Sequence, residues 1–250
     1  MSDFNRGYSR PAPAGAADMA LDAGLRAFML GVYNKVALGL LLSAAMAFLT
    51  GAYPPVRDLM FVARPNGAIG FTLLGMIVAF APLVILLFSG FGMRSVSPRS
   101  SGVIYWSVVA LIGASLGTVV LLYTGASIAS TFLITATAFG GLSLVGYTTK
   151  KDLTAFGSFL IMGLIGLIVA SLVNIFLQST MMTFIVNVAG VLIFAGLIAY
   201  DTQRLKATYY QLGVDASALG VATNFGALSL YLDFINLFRF LLYFLGGSRR

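Results

Sequence analysis

The chain has 250 residues, of which 59% are apolar and only 9% charged, with a formal charge of +7. Soluble domains carry about 25% charged residues, so this composition excludes a soluble enzyme or binding domain and points to a bilayer. The cations are spread between apolar runs rather than gathered in one patch, which argues against nucleic acid as a partner. Without His or Cys there is no disulfide, thiol or imidazole chemistry, and all 8 acidic residues are Asp.

Residues 1–28 are polar, with Pro11 and Pro13, and read as a flexible cytosolic tail. No apolar region precedes a cleavage site there, so the segment is not a secretory signal peptide. Residues 29–250 form the membrane domain. A span needs about 20 apolar residues, and seven runs qualify: about 29–51, 67–89, 103–123, 126–146, 155–177, 181–200 and 224–246. They are continuous and lack the alternation of barrel strands, so the expected fold is all-α, a polytopic bundle of seven transmembrane helices.

The first span contains Lys35, expected to snorkel to the interface. Pro82 in the second removes a backbone bond and is expected to kink that helix. The glycines at Gly113–Gly117 and Gly163–Gly166 read as close-packing positions between helices. With a cytoplasmic N-terminus, Arg6, Arg10, Arg26, Arg94, Arg99, Lys150, Lys151, Arg204 and Lys206 lie inside, and only Arg57, Arg64, Arg249 and Arg250 lie outside. That bias predicts an inside N-terminus and an outside C-terminus. Lys150, Lys151 and Asp152 read as a solvated loop cluster.

The fourth and seventh spans share an echo. Ala136–Leu144 reads ATAFGGLSL and Ala222–Leu230 reads ATNFGALSL, identical at seven of nine positions. Shared small-residue packing is the simpler account; the other is a relic of an inverted repeat, as in transporters. Asp233 corresponds to Tyr147 in the earlier copy.

Two carboxylates stand where hydrocarbon tolerates them least. Asp201 closes the sixth span and Asp233 lies inside the seventh. A carboxylate at such a depth costs roughly 2.5–3.5 kcal/mol on insertion scales and is a functional-site candidate by default. Ser229, Asp233 and Asn236 follow i, i+4, i+7 and share one helix face as supporting polar groups. If the seventh helix meets the membrane near Leu228, Asp233 lies about 8 Å deep, close to the level of Asp201; if near Asn224, about 13 Å. The shallower register permits a pair and is preferred, although it leaves Arg239 near mid-membrane in need of a partner. Two adjacent carboxyls share a proton and titrate as a unit. The bland alternatives are an interfacial Asp201 paired with Arg204 at i+3 and a merely hydrogen-bonded Asp233. Arg94 follows the second span on the same side and is the candidate latch for an aspartate.

The stretches GYTTKKDLTAFGSFLIMGLIGLIVASLVNIFL (146–177), IAYDTQRLK (198–206) and FGALSLYLDFINLF (225–238) resemble the bacterial (YccA-like) branch of the Bax-inhibitor-motif family, over nearly the whole chain after residue 25. The resemblance implies a seven-helix bundle with the last helix central, in a bacterial inner membrane. It implies a pH-sensitive calcium leak with no resident cofactor, in which Asp201 and Asp233 form the proton sensor and hold a proton or a weakly bound Ca²⁺. It also implies an arginine late in the second helix that latches to the first aspartate; Arg94 is the nearest match. The chain departs from relatives that carry an acidic residue in the second helix, having none between Asp58 and Asp152. Calcium takes about six to eight oxygens, so two carboxylates with Ser229, Asn236 and carbonyls suit passage rather than storage.

Three rival readings follow. Intramembrane aspartyl proteases also carry a Tyr-Asp pair, matched by Tyr200–Asp201, but the residues before Asp233 are Leu230-Tyr231-Leu232 rather than Gly-x-Gly, so the expectation is that the chain is not an enzyme. A retinal protein needs a Lys in its last span, and there is none. An interaction protein remains, modulating or serving as substrate of a membrane-bound AAA protease through the N-terminal tail.

Overall fold

A computed structural model describes residues 14–63, 69–91, 96–213 and 215–247. Nine helices and one hairpin occupy these residues: α1 (Ala14–Ala52), α2 (Pro54–Met60), β1 (Phe61–Ala63), β2 (Ile69–Phe71), α3 (Leu73–Phe91), α4 (Pro98–Ser115), α5 (Gly117–Leu122), α6 (Gly125–Thr148), α7 (Thr154–Leu177), α8 (Thr180–Leu212) and α9 (Ala216–Leu245). Six segments are long and apolar enough to cross a membrane, and Leu73–Ser89 is a shorter apolar helix. The molecule is an all-α polytopic membrane protein.

Three expectations change. Residues 14–28 are the opening turns of α1 rather than a flexible tail, and residues 1–13 lie outside the described residues. Alanine is the best helix former, and Leu25, Phe28 and Met29 anchor these turns in the core. The expected second span, 67–89, starts later: Phe61↔Phe71, Val62↔Gly70 and Ala63↔Ile69 pair as antiparallel strands, and α3 begins only at Leu73. Gly75 makes the hairpin fit, since a Cβ there would lie 2.1 Å from Met60 O. The third span is broken at Leu116, between α4 and α5. Thr50 Oγ1 donates to Ala114 O at 2.9 Å, a side chain inserted into the helical ladder where it breaks. Pro82 lies inside α3, which continues to Phe91.

The helix α9 is the centre of the bundle, packed on α1, α4, α6 and α8. Leu230 and Tyr231 are fully buried, and Phe234 and Leu237 nearly so. With neighbours on four sides, α9 is sheathed largely by protein rather than by lipid. Glycine permits the closest approaches. A Cβ at Gly113 would sit 2.5 Å from Ser43 Cα, joining α4 to α1, and one at Gly146 would sit 2.1 Å from Ala199 O, joining α6 to α8. Gly166, by contrast, faces open space and makes no such contact.

Candidate functional site: the α8–α9 carboxyl pair

Asp201 is not at a helix end. α8 runs eleven residues beyond it to Leu212, so the apolar stretch stops but the helix does not. The residues that follow, TQRLKATYYQL, are mostly good helix formers, and Leu205 and Tyr209 are buried by neighbours. α9 likewise starts well before its apolar stretch, capped by Asp215, whose carboxylate accepts from the Ser217 and Ala218 amides at 2.9 and 3.0 Å. The two helices form an antiparallel hairpin with Asp201 and Asp233 on facing sides.

Asp201 and Asp233 are 7% and 5% exposed. Asp233 lies one turn beyond Ser229 on α9, on the side of that helix that packs on α8. The Ser229 hydroxyl donates to Asp201 Oδ2, and Arg204 Nη1 stands 3.7 Å from Asp201 Oδ1 on the exposed side of α8. Asp233 Oδ2 is buried without a hydrogen-bond partner among the described residues. Ser229 thus meets Asp201, and Asp233 follows it on the same face of α9. Asn236 does not join it: its Nδ2 donates to Leu232 O at 2.9 Å, one turn back on its own helix. Arg94 lies outside the described residues; among the described residues the guanidinium beside Asp201 is that of Arg204.

Sequence reasoning missed several neighbours. Ser143 Oγ lies 3.4 Å from Thr202 Oγ1. Ser143 and Ser229 are equivalent positions of the nine-residue echo, and they meet consecutive residues of α8, Thr202 and Asp201. The echo thus marks two helices that read one stretch of a third. Gln203 clamps the α6–α7 connection: its Oε1 accepts from Leu153 N and its Nε2 donates to Lys151 O, both at 2.8 Å. In that connection Thr154 donates its amide and hydroxyl to Asp152, which holds the carboxyl below the usual range.

Lys35 corrects a further expectation. Instead of snorkelling, its Nζ donates to Asn224 Oδ1 on α9 and lies 5.9 Å from the Tyr105 ring. Asn224 Nδ2 in turn donates to Ser101 Oγ at 2.8 Å and Pro98 O at 3.0 Å, and the Tyr105 hydroxyl donates to Lys35 O. Deeper along the same side of α9, Ser43 Oγ donates to Val109 O at 3.1 Å and stands 2.6 Å from the Tyr231 hydroxyl. Arg239 is exposed on α9, with no ion pair among the described residues. No group of three or more His, Asp or Glu side chains comes together among the described residues, so a cation at the pair would take its remaining oxygens from Ser229, backbone and water.

Comparison with known proteins bears on the whole chain. The family model described as "Inhibitor of apoptosis-promoting Bax1" matches residues 25–250. An uncharacterized protein of Caulobacter vibrioides is 66% identical over 249 residues, covering 100% of both chains. An uncharacterized protein of Rickettsia prowazekii is 43% identical, covering 97% of this chain and 98% of its own. The inner membrane protein YbhL of Escherichia coli is 43% identical, covering 91% of this chain and 94% of its own.

Proposed function

The chain belongs to the Bax inhibitor family, and from that premise we propose that it is a pH-sensitive cation leak, with Ca²⁺ as the transported ion, gated by the Asp201–Asp233 pair. The observation that carries the reading is a buried carboxyl, Asp233, with an oxygen unpartnered among the described residues, one turn from the Ser229 that donates to Asp201. Buried polar groups are normally satisfied, so an orphan beside a like charge calls for an explanation beyond packing.

A hydrogen bond between two carboxyls requires one proton. Asp201 already has a hydroxyl donor in Ser229 and a guanidinium in Arg204, so it is equipped to be the anion and Asp233 the acid. With the proton in place, the pair ties α8 to α9. Without it, two negative charges face one another in a poorly solvated site, and the contact becomes repulsive unless a cation sits between them. Proton loss thus opens the α8–α9 seam and creates the cation's resting place in one event. Binding by two carboxylates and a hydroxyl is weak, as conduction requires. The reading includes a bacterial inner-membrane location, as for the Escherichia coli relative, with the N-terminus inside by the charge bias of the loops. A latch by Arg94 and recruitment of a membrane-bound AAA protease through residues 1–25 are separate additions to it.

The test is Ca²⁺ flux against pH in proteoliposomes, for the wild type, Asp201→Asn and Asp233→Asn. The wild type should show flux that rises at least tenfold as the pair deprotonates, and either variant should flatten that rise to less than twofold. A pH dependence unchanged in both variants overturns the sensor.

A further inference from the structure

The opposite flank of α9 carries a feature that the carboxyl pair does not use. Between α1 and α6 runs a cavity of about 960 Å³, floored by α9 and lined among others by Leu40, Phe132, Phe139 and Phe234. A second cavity of about 330 Å³ shares Tyr33 and Phe139 with it and continues along α6 past Ser143 to Tyr147. Helices α1 and α6 scarcely touch beyond the edge-to-face meeting of Tyr33 and Phe139. The groove follows α6 from Gly125 to Tyr147, about 33 Å at 1.5 Å per residue, close to the roughly 30 Å of a bilayer's hydrocarbon.

Its glycines differ from those at the helix contacts. A Cβ at Gly113, Gly146 or Gly190 would strike a neighbouring helix at 2.5, 2.1 and 2.6 Å. Gly125 and Gly140 line the groove, and a Cβ on either would meet nothing within 4 Å. Small residues here bring no helices together.

The groove is also chemically polarised. At its Tyr147 end the Lys206 ammonium lies 5.3 Å from the Tyr147 ring and donates to Tyr147 O at 3.2 Å. An ammonium has three donors, so two stay free for a ligand. Arg26 is exposed seven residues before Tyr33, on the same face of α1 that lines the groove. An apolar slot at hydrocarbon depth with Lys206 at its Tyr147 end, and Arg26 further along α1 with Asp22 one turn beyond it, suits a phospholipid with its chain in the slot and its phosphate toward Lys206.

We infer that the α1–α6 groove is a binding site for one anionic phospholipid, an acyl chain lying between Tyr33 and Phe132 and the phosphate held by Lys206. The site is separate from the carboxyl pair, which faces α8, so it stands or falls independently of the leak.

The experiment uses the full chain in nanodiscs of phosphatidylethanolamine and phosphatidylglycerol, with a trace of phosphatidylglycerol bearing a mid-chain diazirine. Adducts are mapped after illumination by peptide mass spectrometry. They should concentrate on residues 33–48 and 128–147, at least fivefold above α7, whose lipid-facing side is at least as exposed. Two independent groove-filling variants, Gly140→Phe and Ala129→Phe, should each lower groove labelling at least threefold while α7 labelling stays constant, which also reports that the bundle is intact. Lys206→Gln should lower labelling by the phosphatidylglycerol probe at least threefold, and by less for a phosphatidylcholine probe of the same chain, whose phosphate is already paired with its own ammonium. Even labelling of α6 and α7 overturns the site. Two copies per nanodisc with the groove residues unlabelled also overturn it, assigning the groove to self-association. Unchanged phosphatidylglycerol labelling in Lys206→Gln overturns the headgroup assignment.

Discussion

On the side of α9 that meets α1 and α4, Lys35, Asn224, Ser101, Ser43 and Tyr231 all find partners across helices, at depths from the helix start to the bundle centre. On the side that meets α8, Asp233 keeps a buried oxygen without a partner among the described residues, and Asp201 takes its donors from a serine and a surface arginine. One helix thus carries two polar stripes of opposite character, and helical geometry keeps them apart: Asn224 and Tyr231 are seven residues apart on one face, Ser229 and Asp233 four apart on the other. The contrast teaches that burial of polar groups in a membrane protein is not itself a sign of function. A saturated network holds helices in place, whereas a deficient one has a second state available to it.

The strongest way to break the contrast is to damage the saturated side. Lys35→Met strands Asn224 Oδ1 in the interior and should cost about 1–3 kcal/mol, seen as a lowered Tm in detergent, with the pH response of flux retained. Asp233→Asn acts in the opposite sense. Its amide can donate to Asp201 without any titratable proton, so stability should rise by about 1 kcal/mol. The gain should widen at alkaline pH, where the wild-type pair holds two charges; a loss of stability at all pH values would place Asp233 among the structural groups. Tyr231→Phe sharpens the picture, because Ser43 keeps Val109 O as acceptor. It should cost about 1 kcal/mol by thermal unfolding, with no change in flux. Arg204→Gln is the smallest. Its guanidinium is mostly exposed and 3.7 Å from Asp201, so unfolding should register less than about 0.5 kcal/mol.

What the sequence made legible follows from which signals are local. Asp201, Asp233 and Ser229 stood out because a carboxylate in a long apolar run is conspicuous and helical spacing places its neighbours. Lys35 was misread because its partner, Asn224, is 189 residues away; an isolated Lys in a span looks like a snorkelling one until the facing helix is known. Ser143 was inside the echo, yet its role depended on α6 and α9 both packing on α8, which no spacing reveals. The extent of α8 was hidden for another reason: hydropathy locates where lipid ends, not where a helix ends. The hairpin was masked by apolar length, although Pro65-Asn66-Gly67 between Phe61-Val62 and Ile69-Phe71 is turn chemistry between residues of high strand propensity.

The eleven residues of α8 beyond Asp201 make an arm of about 16 Å. Tyr209, near its far end, leans on Phe28 with ring centroids 5.6 Å apart and fits against Gly24, where a Cβ would meet its hydroxyl. The first turns of α1 therefore brace the arm that carries Asp201, so the placing of that carboxyl depends on aromatic packing eight residues away from it.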